Sequence, residues 1–86
     1  MSENSFEALV RAECSALADM LVEKNRAYGN SAFEPVRIFS RADATEQIKV
    51  RIDDKLSRLA RGTSVGEDAE LDLMGYLVLL RIARRA

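Results

Sequence analysis

The chain has no histidine and no tryptophan, one cysteine, one proline and four glycines in 86 residues. Each scarcity excludes something. Without histidine, one chain holds no Ser-His-Asp triad, no Cys-His pair and no histidine-ligated zinc site. The lone Cys14 has no intrachain disulfide partner, which fits a reducing cytoplasm. The few glycines are scattered, so there is no Gly-rich phosphate loop of the P-loop or dinucleotide-binding type. The longest apolar stretch, Leu73 to Leu80, is interrupted by Gly75 and falls far short of the roughly 20 residues of a membrane span. No basic segment followed by an apolar run opens the chain, so no signal peptide is expected. The composition, 48% apolar and 31% charged, is that of a small folded domain and not of a disordered chain. These features point to one soluble cytoplasmic domain spanning residues 1–86.

The net charge is -1, but it is unevenly spread. Residues 1–23 carry five acids and one base, and residues 62–86 carry four acids and three bases. Residues 24–61 carry nine bases and five acids, a local +4. That pattern argues against a binder of polymeric nucleic acid and leaves open a local site for a small anion. It is equally the pattern of a solvated charged surface.

Periodicity predicts three helices and no strand. Phe6, Val10, Cys14, Leu17, Leu21 and Tyr28 recur at helical spacing, so helix 1 is expected over about 5–27 with Asn4 and Glu7 as its capping box and Gly29 as its stop. Cys14, on that stripe, is expected as a packed small side chain. Pro35 is placed to open a short helical turn through Phe39. Asp43 with Glu46 opens helix 2, expected over 44–61, and Gly62 ends it. Ser64 with Glu67 is a third capping box, placing helix 3 over about 65–84. The fold class is therefore all-α. Helix 3 carries Leu71, Leu73, Met74, Tyr76, Leu77, Val78, Leu79, Leu80 and Ile82 around nearly its whole circumference. A helix apolar on all sides needs cover on all sides, and two partner helices in so short a chain are too few. A homo-oligomer with helix 3 central and packed against another subunit is expected.

Three groups of residues have the chemistry of a site. Lys24-Asn25-Arg26-Ala27-Tyr28-Gly29-Asn30 joins two cations, an aromatic ring and turn amides, a set that suits phosphate and base, although Lys and Arg also favour any helix C-terminus. Arg51, Lys55 and Arg58 form a cationic strip beside the apolar stripe of helix 2, suited to a di- or triphosphate. The same strip also reads as a solvated face with i,i+4 pairs such as Lys49 with Asp53 and Asp54 with Arg58. Glu67, Asp68, Glu70 and Asp72 begin helix 3, where acids complement the macrodipole and where carboxylates also suit Mg²⁺. Asp72, set where the apolar run begins, is expected to meet Lys55 or Arg58.

These segments together resemble one family. Lys24-Asn25-Arg26-Ala27-Tyr28-Gly29, the run Glu46 to Leu59 and the run Glu67 to Tyr76 are similar to the first nucleotide-modification-associated domain family, small helical proteins common in phages. The resemblance covers about residues 14–83 and implies a role with nucleotides in a phage setting. A more distant likeness is to MazG-type all-α nucleotide pyrophosphohydrolases, whose Glu-Glu-x-x-Glu magnesium cluster is absent here. A likeness in kind only is to small oligomeric phage proteins that sequester nucleotide signals. The expectation is a nucleotide-binding or sequestering homo-oligomer without a cofactor. Its ligand contacts would be Lys24, Arg26, Tyr28, Asn30, Arg51, Lys55, Arg58 and Asp72, placed between helices 1 and 2 with or without an adjoining subunit. The alternatives are Mg²⁺-dependent pyrophosphate hydrolysis through Glu67, Asp68, Glu70 and Asp72, and a helical protein-interaction module.

Overall fold

Each helix starts where a side chain accepts its first free N–H groups, and two of the three stop at a left-handed glycine. The computed structural model describes residues 5–29, 32–33, 43–63 and 65–85. Among these there are three helices and no strand: α1 over Phe6–Tyr28, α2 over Ala44–Arg61 and α3 over Ala69–Ala83. The domain is all-α. The expected capping residue Asn4 and the helical turn at Pro35–Phe39 lie outside the described residues. Ser5 caps α1, its Oγ accepting from the Ala8 N–H at 3.2 Å. Gly29 (φ 60°) closes that helix by donating its N–H to the Asn25 carbonyl at 2.9 Å. Asp43 caps α2 by accepting from the Glu46 N–H at 2.9 Å. Gly62 (φ 68°) ends α2, and the next N–H, of Thr63, reaches back to the Arg58 carbonyl at 3.1 Å.

The start of α3 differs from the expectation. The helix begins at Ala69, four residues later than residue 65, and Asp68 caps it by accepting from the Leu71 N–H at 3.0 Å. Ser64 is outside the described residues. Glu67 takes no part as a capping partner because its carboxylate is turned to cations of α2. The turn before it carries Gly66 at φ 82°, a conformation that side chains strain to adopt.

α3 lies between the other two helices. α2 packs along it, and the small core of that pairing is Ile48, Ala69 and Leu80, with Ile48 only 2% exposed. Full burial of one such isoleucine contributes about 1.5–3 kcal/mol. α1 touches α3 at a narrower crossing centred on Gly75. A Cβ at this position would stand 3.0 Å from Leu21 Cδ2 and 3.1 Å from Met20 Cε, so glycine is what lets the two helices approach. α1 and α2 make no close backbone approach.

The apolar stripe of α1 is covered only in part. Leu17, Met20 and Leu21 are half-buried against α3, but the helix has no buried residue. Phe6 is 82% exposed, and Leu9, Val10 and Tyr28 are exposed as well. Cys14 is also exposed, contrary to the packed position expected from periodicity, because the half of α1 that carries it runs past its contact with α3. α3 itself buries Ala69, Gly75 and Leu80 and leaves Met74, Leu77 and Ile82 exposed. No helix among the described residues is long and apolar enough to cross a membrane.

Candidate functional site at the junction of the three helices

Six charged groups of alternating sign run across the molecule. Asp54 Oδ2 accepts from Arg58 Nε at 3.0 Å, and Arg58 Nη1 donates to Glu67 Oε1 at 2.8 Å. The other oxygen of Glu67 accepts from Lys55 Nζ at 3.0 Å. Lys55 Nζ also lies 3.3 Å from Asp72 Oδ2, and Asp72 Oδ1 accepts from Lys24 Nζ at 3.2 Å. The chain thus starts and turns on α2, passes through the residue before the α3 cap, and ends on α1. Asp72 is its pivot: each carboxylate oxygen holds a lysine from a different helix.

The order of burial along this chain decides what each group can do. The side chains of Lys55 and Asp72 are 13% and 17% exposed, whereas Lys24 is more than half exposed. Lys55 is held by two carboxylates. Its pKa is raised, first by the hydrogen bond to Glu67 and then by Asp72, against the opposing effect of desolvation. The Glu67 carboxyl is pushed below the ordinary carboxylate range by its bonds to Lys55 and then Arg58, and the Arg58 pKa is raised, first by Glu67. Lys55 and Arg58 therefore tie α2 to the start of α3. The two readings of the cationic strip separate here, since these two members are neutralised by neighbours. Of the surface pairs expected on α2, Asp54 with Arg58 is present, while Lys49 pairs with Glu46 at 3.1 Å instead of with Asp53.

Beside this chain, α1 and α3 diverge around a cavity of about 430 Å³. Its apolar floor is Met20, Leu21, Gly75 and Leu79, and Ala32 borders it beyond the end of α1. Lys24, Asn25, Tyr28, Asp72 and Tyr76 supply the polar and aromatic lining, and Arg51 reaches it from α2. The helical register explains this convergence. Leu21, Lys24, Asn25 and Tyr28 stand at i, i+3, i+4 and i+7 on one face of α1, and Asp72, Gly75, Tyr76 and Leu79 repeat the same spacing on α3. Arg51 sits one turn before Lys55 on α2 and, among the described residues, has no ion-pair partner.

Four of the eight residues expected at a ligand site, Lys24, Tyr28, Arg51 and Asp72, line this cavity. Lys55 and Arg58 stand beside it in the charge chain. Arg26 is exposed, lies outside the cavity and faces Glu23 at 3.8 Å. Asn30 is outside the described residues. The cavity is between α1 and α3 with one contribution from α2, not between helices 1 and 2 as expected. Among the polar and aromatic lining residues, Asn25 and Tyr76 were not expected as ligand contacts. Both stand inside the motifs already considered, and the i, i+3, i+4, i+7 spacing around Lys24 and Asp72 was the available signal.

The carboxylates considered as metal ligands are engaged otherwise. Glu67 and Asp72 face cations, Asp68 caps α3, and the described residues contain no group of three or more His, Cys, Asp or Glu placed to hold a metal ion. Compared with family models, with curated proteins and with solved structures, the chain matches none.

Proposed function

We propose that this protein binds a phosphate-bearing nucleotide in the cavity at the α1–α3 junction and holds it without changing it. One observation carries the reading: a cavity with an apolar floor, two tyrosines, an asparagine amide and an arginine free of ion pairs among the described residues. Aromatic faces accept a base, an amide reads a base or ribose edge, and a guanidinium receives phosphate oxygens in its fork of donors. The resemblance of the motifs around Tyr28, Arg51 and Asp72 to a nucleotide-associated family of phage proteins agrees with this chemistry. Under this reading the protein is a sequestering agent in the cytoplasm of an infected host and needs no cofactor.

The working form is a homo-oligomer. The apolar residues left uncovered on α1 and α3, among them Phe6, Val10, Met74 and Leu77, are what a second copy would cover. Light scattering at micromolar concentration is expected to give a multiple of the 9.6 kDa chain mass. A single-chain mass overturns the assembly.

The ligand test is direct. The protein is incubated with a panel of nucleotides and cyclic nucleotides, with and without Mg²⁺, and filtered. The bound fraction is then heat-denatured and its supernatant analysed. Depletion of one nucleotide, returned intact after denaturation, is the expected result. Mg²⁺-dependent release of pyrophosphate would overturn it in favour of hydrolysis, and no depletion would overturn it in favour of an interaction module.

A further inference from the structure

We infer that the ligand presents one phosphate group to this cavity, clamped by Arg51 and Lys24, and is a nucleoside monophosphate or cyclic mononucleotide and not a di- or triphosphate. The inference rests on the nucleotide-binding reading above and narrows it. Its basis is which cations are available. The strip Arg51, Lys55, Arg58 offers three positive charges in sequence, but the structure leaves only the first without a carboxylate partner among the described residues. Lys55 is largely buried and held by two carboxylates, so recruiting it to a ligand would break two ion pairs at once and leave Glu67 and Asp72 with one cation each. Arg58 is likewise held by Asp54 and Glu67.

Lys24 differs. It makes a single bond to Asp72, its side chain is more than half exposed, and its partner keeps Lys55 if Lys24 turns away. Releasing it costs no more than breaking an exposed ion pair. The cavity lining carries Lys24, Arg51 and Asp72, a net charge of +1. A phosphodiester has one negative charge and a phosphomonoester between about 1.5 and 2. A diester matches that lining and a monoester exceeds it by at most about one charge, whereas each further phosphate of a polyphosphate tail would add surplus charge against Asp72. The volume of about 430 Å³ agrees, since it lies toward the small end of the ~300–1,000 Å³ of ligand pockets.

Titration calorimetry of the full chain tests this. The probes, for each of the four bases, are the nucleoside, its 5′-mono-, di- and triphosphates and its 3′,5′-cyclic monophosphate, with inorganic phosphate alongside. For the preferred base, a single-phosphate form is expected to bind at least as tightly as the di- and triphosphate and about tenfold or more above the nucleoside. Comparison of the 5′ and cyclic forms identifies monoester or diester. Arg51→Ala and Lys24→Ala are each expected to lower that affinity about tenfold and to lower nucleoside binding less. Arg51 has no partner among the described residues, so its variant is expected to keep the wild-type melting temperature, the control that separates lost contact from lost fold. Affinity that climbs with each added phosphate overturns the one-phosphate inference and leaves nucleotide binding standing. Failure of every nucleotide to bind the folded protein overturns both.

Discussion

The pairing of α2 with α3 and the pairing of α1 with α3 are built differently. The first buries Ile48, Ala69 and Leu80 and is tied by Lys55 and Arg58 through Glu67 and Asp72. The second buries no residue of α1 and rests on the crossing at Gly75 and on one exposed ion pair, Lys24 with Asp72. One is a packed base and the other an arm laid against it. A helix with no buried residue draws little stability from tertiary packing. The cavity opens along the weaker junction, where ligand contacts would add most to the stability of the arm.

The largest expected difference comes from attacking the base. Ile48→Ala removes most of the one fully buried large side chain among the described residues, and substitutions of that kind cost about 2–5 kcal/mol. Urea unfolding monitored by circular dichroism is expected to show α2 and α3 lost together. A midpoint close to wild type would mean that the base is not where stability resides.

Gly75→Leu attacks the arm. Even a Cβ there meets Leu21 and Met20 at 3.0–3.1 Å, so a full side chain forces α1 outward, at about 1–3 kcal/mol. Trypsin is expected to cut faster after Arg11, Lys24 and Arg26, with the sites in α2 little changed. Uniform acceleration at Lys55 and Arg58 would show that arm and base unfold as one unit. Gly75→Ala should be far milder, since the atoms it meets are the ends of flexible side chains and alanine favours the helix.

A smaller effect distinguishes the two junctions by pH. Glu67 has its pKa depressed in the folded chain, so its contribution is present above the ordinary carboxylate value near 4.5 and is lost as pH falls through the folded value. Lys55 has its pKa raised, so its contribution holds below 10.5 and is lost as pH rises beyond it. Melting temperatures of wild type and Glu67→Gln are expected to differ at neutral pH and to converge in acid below the folded pKa of Glu67. A constant gap across that range would show that Glu67 acts through packing and not charge.

Local signals gave α2 at its observed bounds, 44–61, because both ends are encoded within a few residues by Asp43 and Gly62. They misplaced the start of α3, because Glu67 is claimed by Lys55 and Arg58 on another helix, and no local pattern reveals that. Periodicity found the stripe of α1 but not that half of it, with Cys14, lies beyond the reach of α3. The meeting of Asp72 with Lys55 could be anticipated from a carboxylate set at the edge of an apolar run. Its second partner, Lys24, is 48 residues away in the sequence and required the fold. For the same reason the sequence offered Arg51, Lys55 and Arg58 as equals, and only the geometry separates the one that is available from the two that are engaged.

Hydrogen exchange across the whole chain, with and without each of the four ribonucleoside 5′-monophosphates and their 3′,5′-cyclic forms at millimolar concentration, tests the central claim most directly. The account predicts that at least one of them slows exchange in α1 from about Leu21 to Tyr28, more than it slows the already packed amides around Ile48. Unchanged exchange in α1 with all eight, or protection confined to α2, would contradict it.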